Sequence, residues 1–149
     1  MPTGYLALVL HAHLPFVRHP EHDEFLEEDW LFEAITESYI PLLEMMQRLV
    51  RDEVPFKLTM TVTPTLCAML QDQLLRERYV RHLDRLIDLA GREVERNRED
   101  EQRHSLAEFY RANFSRCRDR FFEWNGDLLG VFGQLQKEGC LEIMASAAT

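Results

Sequence analysis

Residues 5–20 read YLALVLHAHLPFVRHP, and this stretch decides how the rest of the chain is interpreted. It begins as a short apolar run and ends in polar residues and prolines, which is typical of a buried β-strand followed by a loop. Pro15 and Pro20 stop any regular continuation, because proline lacks a backbone N–H group and restricts the residue before it. The stretch therefore predicts a first strand that ends at two histidines, His11 and His13.

These two histidines are the first candidate for a functional site. Because His11 and His13 are two residues apart, extended backbone turns both side chains to the same side. In α/β folds, ligands bind at the carboxyl ends of parallel strands. The spacing alone leaves three interpretations open: hydrogen bonds to nearby backbone, a pair of metal ligands, or substrate binding.

The rest of the chain alternates between strand and helix patterns in the order β-α-β-α-α-α-β. A second strand is predicted over residues 56–62 and a third over residues 140–146. Pro41 lies inside the first helical pattern and predicts a kink or a second helix start. An aromatic stripe between residues 106 and 122 predicts packing into the core. Parallel strands joined by helical crossovers, an α/β fold, are the natural solution for this order.

Size and charge limit the class of partner. With 149 residues, the chain is long enough for one ordinary domain. Its net charge is −9, from 26 acidic and 17 basic side chains. Long-range repulsion therefore opposes nucleic acids and anionic membranes as partners, whereas a neutral polysaccharide is indifferent to this charge.

Cysteine usage and the absence of apolar segments indicate the compartment. The three cysteines, Cys67, Cys117 and Cys140, are odd in number and widely spaced, which is typical of a reducing environment. The N-terminus lacks the pattern of a secretory signal, and no apolar stretch approaches the roughly 20 residues that cross a bilayer. A cytoplasmic location is expected.

Four pieces of the sequence carry a resemblance to a known family. Residues 11–20, 30–43, 61–66 and 141–149 resemble, in order, signature regions of the family-57 glycoside hydrolases, most closely their α-1,4-glucan branching enzymes. The resemblance implies that residues 1–149 form the first three β/α units of an incomplete seven-stranded (β/α) barrel. It therefore implies the N-terminal part of a catalytic domain that is cut short at its C-terminal end.

The function implied by the resemblance is retaining transfer of an α-glucan segment to a 6-hydroxyl group, which forms α-1,6 branches in amylose or glycogen-like glucans. The close alternatives are a family-57 amylase and a 4-α-glucanotransferase. A metal-dependent hydrolase that uses the His-x-His pair remains a further alternative. A non-catalytic carbohydrate-binding or interaction module is the last alternative interpretation.

The resemblance also implies which residues meet the substrate. His11 and His13 match the histidines of the first signature region and could hydrogen-bond sugar hydroxyls. Trp30 could stack on a sugar face or anchor the following helix. Glu33 could orient a histidine or simply favour a helix N-terminus.

No catalytic residue is assigned to this chain. A retaining mechanism needs a nucleophile and an acid, and the resemblance places both carboxyl groups on later strands. No metal and no cofactor are expected. The chain alone is therefore expected to be inactive, and its unpaired strand edges make self-association an additional expectation.

Overall fold

A computed structural model describes residues 4–147, and its centre is a three-stranded parallel β-sheet. The strands are β1 (Val9–Ala12), β2 (Leu58–Val62) and β3 (Leu141–Met144). They lie side by side in the order β1-β2-β3, and both pairs are parallel. The predicted α/β fold with parallel strands is confirmed, while residues 148 and 149 of the last signature piece lie outside the described residues.

Helical segments fill the connections between the strands. They are α1 (Glu28–Glu33), a π-helical segment (Ala34–Tyr39), α2 (Ile40–Arg51), α3 (Pro64–Gln71), α4 (Gln73–Arg96), α5 (Glu101–Glu123) and α6 (Leu128–Lys137). The side chains of Thr63, Asp72, Asp100 and Asp127 each accept a hydrogen bond from the first turn of the helix that they precede. Gly139 takes a positive φ of 76° just after α6, which suits a left-handed helix cap.

Pro41 explains the π-helical segment. Proline cannot donate a backbone hydrogen bond, and its ring crowds the carbonyl four residues earlier. The helix widens immediately before it, where the Ile40 N–H group bonds to the Ile35 carbonyl five residues back. The predicted disturbance at Pro41 is confirmed as a widened turn within a continuous helical stretch.

The start of β1 differs from the prediction. Residues 5–8 of the apolar run are exposed and lie outside the strand, which begins at Val9. In the register of the sheet, Val9 lies opposite Thr59, close to the start of β2 at Leu58. The Leu8 carbonyl still accepts the Thr59 N–H group at 3.2 Å, and the paired strand runs from Val9 through His11 to Ala12.

One face of the sheet packs against the helices. Three strand residues on that side are buried: Ala12, Met60 and Leu141. They belong to one cluster with apolar residues of all the helical segments, to which α5 contributes Cys117 and Phe121. Leu10, Leu58, Val62 and Ile143 are partly buried against the same cluster. Because side chains alternate along a strand, the remaining strand residues lie on the opposite face.

The aromatic stripe of α5 is only partly core, which corrects the prediction. Cys117 and Phe121 are buried, and burial raises the pKa of the Cys117 thiol to about 11. The larger part of the stripe is exposed: Leu106, Phe109, Tyr110 and Phe122. Helix α5 packs mainly on α4, and among the described residues no further layer covers the outer side of this helix pair.

Candidate functional site

The sheet face turned away from the helices is polar. It carries Val9 and His11 from β1, Thr59 and Thr61 from β2, and Glu142 and Met144 from β3. None of these six residues is buried. Along β2 the side chains alternate, so Met60 is buried on the helix side between two threonines that lie on the other side.

His11 and His13 lie together on this side of the sheet. Their rings stack, with centroids 5.8 Å apart and planes inclined by 20°. The prediction that the two rings lie on the same side is therefore confirmed. The Nδ1 atom of His11 shares a hydrogen bond with the Thr61 hydroxyl, the neighbour that the strand register places beside it. This bond fixes the ring and leaves Nε2 as the nitrogen that Thr61 does not engage.

One register step toward the amino ends of the strands, the Thr59 hydroxyl donates a hydrogen bond to the Glu142 carboxylate at 3.2 Å. Glu142 is the one carboxylate that the three described strands place on this face. A retaining glycosidase holds two carboxyl groups about 5 to 5.5 Å apart. The three strands therefore supply polar groups that can bind a sugar, but no such pair.

Trp30 and Glu33 both lie in α1. Trp30 is 51% exposed, so its ring is accessible from solvent. Glu33 is exposed and ends α1, five residues after the helix begins, so it does not lie at a helix N-terminus. Its carboxylate acts to raise the pKa of His82 in α4. The prediction that Glu33 orients a histidine stays a prediction. Their contact with substrate stays a prediction.

The other charged residues of the first motif have structural partners. Arg18 forms a 2.6 Å ion pair with Asp72, which also accepts the Leu75 N–H group and so caps α4. The His19 ring stacks on Phe25 at a centroid distance of 3.7 Å. Both residues thus fix the loop between β1 and α1 against its surroundings.

Sequence analysis missed Arg78, which bonds to the backbone of this loop at two carbonyl groups. Its guanidinium lies in α4 and bonds to the carbonyls of His19 and His22 and to the Glu28 carboxylate. The only available signal was an arginine at a position where the apolar periodicity of α4 turns inward, next to Tyr79. In a helix rich in charge, that signal does not stand out.

His82 couples the same helix to α1. Its Nδ1 atom lies 3.4 Å from Asp29 Oδ1. Burial lowers the pKa of the His82 imidazole below its ordinary value, and Arg85 acts in the same direction, while Asp29 and Glu33 oppose the shift. The folded protein therefore holds His82 neutral at a pH at which the unfolded chain already binds a proton.

We expect the free energy of unfolding to fall as the pH is lowered from 8 to 5, with a contribution from His82. That contribution is complete above the ordinary pKa of 6.5 and is lost as the pH falls through the lower folded pKa. Urea unfolding at several pH values should give a shallower decline for His82→Gln than for the wild type. Parallel curves for the two proteins would contradict the expectation.

Residues 4–147 contain neither a metal-ion cluster nor a membrane-spanning helix. No group of three or more His, Cys, Asp or Glu side chains in that range is arranged to hold a metal ion. His11 and His13 therefore have no third ligand in the described part of the chain, and the metal-free site stays a prediction. No helix in the same range is long and apolar enough to cross a membrane.

The chain forms a parallel sheet with helices on one face and two stacked histidines on the other, at the end of the first strand. This is the arrangement in which α/β proteins bind ligands at the ends of their strands. The family profile described as glycosyl hydrolase family 57 matches residues 7–149. The chain belongs to this family.

Individual relatives include branching enzymes and an amylase. The chain is 35% identical over 147 residues to a 1,4-alpha-glucan branching enzyme of Thermococcus kodakarensis, covering 98% of this chain and 21% of that protein. The crystal structure of a GH57-type branching enzyme from Pyrococcus horikoshii matches 98% of this chain and 27% of its own, with 36% identity and a TM-score of 0.91. The alpha-amylase AmyC from Thermotoga maritima matches 93% of this chain and 26% of its own, with 49% identity and a TM-score of 0.85. The chain thus spans about a fifth of the length of the curated branching enzyme.

Proposed function

We propose that this chain is the N-terminal part of the catalytic domain of an α-1,4-glucan branching enzyme. The observation that carries the proposal is the similarity to branching enzymes over 98% of the chain, together with the stacked His11 and His13 on the polar sheet face. The three parallel strands would be the first three of a seven-stranded (β/α) barrel. In that arrangement the polar sheet face would turn toward the barrel interior.

The groups on this face suit a neutral, hydroxyl-rich ligand. His11 and Thr61 offer nitrogen and oxygen atoms that both donate and accept hydrogen bonds, as sugar hydroxyls require. Trp30 presents an exposed aromatic ring, which suits the apolar face of a pyranose. Glu33 completes the proposed substrate-binding set. The net charge of −9 does not oppose a neutral glucan.

The proposed reaction is a double displacement. A carboxylate attacks the anomeric carbon of an α-1,4 link while an acid protonates the leaving oxygen. The deprotonated acid then takes the proton of a 6-hydroxyl group, whose oxygen displaces the carboxylate and forms the α-1,6 link. Both carboxyl groups would come from later strands. The residues of this chain would hold the sugar at the cleavage point, with no metal or cofactor.

A hydrolase is the second candidate, and one observation favours it. The 49% identity to AmyC exceeds the 36% identity to the branching enzyme of Pyrococcus horikoshii, over similar shares of this chain. The two activities differ in the acceptor, which is water for an amylase and a glucan hydroxyl for a branching enzyme. Similarity over these strands does not decide which acceptor is used.

One assay of the complete enzyme, meaning the protein extended through the later strands, separates the candidates. A branching enzyme incubated with amylose should lower iodine staining and create α-1,6 links that a debranching enzyme releases as short chains. The number of reducing ends should stay nearly constant. A steep rise in reducing ends without new α-1,6 links would favour the amylase. Fractionation of cells of the source organism would test the proposed cytoplasmic location, which rests on the three free thiols.

Replacing His11 tests the proposed binding role. We expect His11→Ala in the complete enzyme to lower kcat/KM for amylose at least fivefold, because a lost hydrogen bond of about 1 kcal/mol corresponds to roughly that factor. The control is His104→Ala, which removes a histidine from α5, away from the sheet. Equal activity of His11→Ala and the wild type, with an unchanged melting transition, would remove His11 from the site.

A further inference from the structure

We infer that Arg78 is a positioning residue that holds the loop after β1 as a wall of the sugar site at His11 and His13. We call residues 14–27 the β1–α1 loop. The inference rests on the proposed function, because it assigns the loop to the same site. Arg78 lies in α4, and it acts only through the loop that it holds.

The Arg78 guanidinium reaches three separate points around this loop. Its Nη1 atom donates to the His19 carbonyl at 3.1 Å and to Glu28 Oε1 at 2.5 Å. Its Nη2 atom donates to the His22 carbonyl. The same Glu28 oxygen accepts the His19 N–H group at 3.1 Å. One buried ion pair thus fixes both polar backbone groups of His19 and the carbonyl of His22.

Because the Arg78–Glu28 ion pair is buried, it would be a costly way to do nothing more than join α4 to α1. The Arg78 and Glu28 side chains are only 6% and 2% exposed. Two apolar side chains of similar size would join α1 to α4 equally well or better, because a buried ion pair must offset the desolvation of both charges. The Arg78 Nε atom is also buried and has no hydrogen-bond partner among the described residues. What the charged pair adds is directional bonds to the loop backbone, which apolar side chains cannot make.

The loop needs these bonds because its own side chains bury little. Among residues 14–27, all of which the structure describes, Val17 alone is buried. Its N–H group lies 3.3 Å from the Met69 sulfur and donates a hydrogen bond to it. Phe16 and Leu26 are 59% and 77% exposed. A loop with so few apolar contacts would fray without polar anchors. Arg78 and Glu28 form the most buried of the ion pairs that anchor it.

The loop is also continuous with the site. It begins directly after His13, at the carboxyl end of β1, and ends at α1, which carries Trp30 and Glu33. Its position therefore sets how the stacked histidines face the two α1 residues proposed to meet the glucan. Moving the loop would weaken glucan binding before it affected any bond-breaking step.

The test is the double variant Arg78→Met/Glu28→Met in the complete enzyme. Removing both charges together avoids leaving one buried charge unpaired, so the melting temperature should change by only a few degrees. We expect KM for amylose to rise about tenfold while kcat changes much less, because loss of a binding wall weakens ground-state binding and transition-state binding alike. Amide hydrogen exchange within residues 19–27 should become faster.

A matched control lies on the same helix and the same loop. Arg85 and Glu24 form an exposed ion pair. The variant Arg85→Gln/Glu24→Gln removes two charges from the same pair of elements without touching the buried contacts. Because exposed pairs contribute little to stability, KM and amide exchange should match the wild type.

Each outcome decides the question. A wild-type KM in the double variant, with faster exchange in the loop, would overturn the inference and leave the proposed function intact. If the double variant does not fold, Arg78→Lys replaces it, because one ammonium cannot reproduce the guanidinium fork. A wild-type KM for that variant would likewise overturn the inference, and a raised KM would support it. If the enzyme with native Arg78 shows no activity on amylose, the proposed function fails and the positioning role fails with it.

Discussion

The purified 149-residue chain is expected to form no α-1,6 branches in amylose, whereas the complete enzyme is expected to form them. Retaining transfer needs a nucleophile and an acid about 5 to 5.5 Å apart. The three described strands place one carboxylate, Glu142, on the polar face, and Thr59 occupies it with a hydrogen bond. The expected loss is complete, because no second carboxylate on these strands can take over the missing role.

The isolated 149-residue chain is also expected to self-associate, because it exposes apolar side chains and strand edges. Tyr5, Leu6 and Val9 lie at or before β1 and are 94%, 84% and 59% exposed. Both β1 and β3 are edge strands of the described sheet, and unpaired edges promote association. Sedimentation velocity should therefore show oligomers of the isolated chain as its concentration is raised.

The measurement uses equal molar amounts of the 149-residue chain and the complete enzyme, with iodine staining and counts of debranched chains. Circular dichroism of the isolated chain controls for loss of helix. Branching by a folded preparation of the isolated chain would contradict the expectation. It would direct attention to Glu33, Glu37 and Glu142 as carboxylates within this chain.

The sequence predicted the parts of the fold that depend on local pattern. Alternation along β2 placed Met60 in the core and its threonine neighbours on the polar face, because the side-chain period of a strand is two. The two-residue spacing of His11 and His13 placed both rings on one side for the same reason. The disturbance at Pro41 followed from its missing N–H group.

The parts that failed depend on distant partners. The extent of β1 depends on its pairing with β2, about 50 residues later, and no local pattern contains that register. Phe109 and Tyr110 follow the periodicity of a core helix, yet they are exposed, because burial depends on whether another layer covers α5. Arg78 escaped notice for the same reason, since its partners at His19, His22 and Glu28 lie 50 to 59 residues away.

The second large effect is expected at Tyr79, in the centre of the helical layer. Its side chain is 0% exposed. The ring meets Phe121 of α5 edge-on at a centroid distance of 4.9 Å and lies 5.9 Å from the ring of Phe32 in α1. Its hydroxyl shares a 3.0 Å hydrogen bond with Thr36 in the π-helical segment. One residue of α4 thus contacts three other helical segments: α1, the π-helical segment and α5.

We expect Tyr79→Ala to lower the free energy of unfolding by about 3 to 5 kcal/mol, the range for truncating a buried aromatic side chain. The free space beside Tyr79 is only about 10 Å³, so the missing ring would leave a new cavity rather than enlarge an old one. Tyr79→Phe keeps the ring and leaves the buried Thr36 hydroxyl unpaired, which should cost about 1 to 3 kcal/mol. A domain of this size has about 5 to 15 kcal/mol in total, so the alanine variant should lose a large share of its stability.

Urea unfolding at protein concentrations that keep the chain monomeric measures these differences. Tyr110→Ala is the matched control, because it truncates the same residue type on α5 where 44% of the residue is exposed, and it should cost less than about 1 kcal/mol. The order of the three variants is the diagnostic result, because the ring accounts for most of the effect at position 79 and the hydroxyl for the smaller part. Equal losses for Tyr79→Ala and Tyr110→Ala would mean that α4 does not tie α1, the π-helical segment and α5 together through this ring.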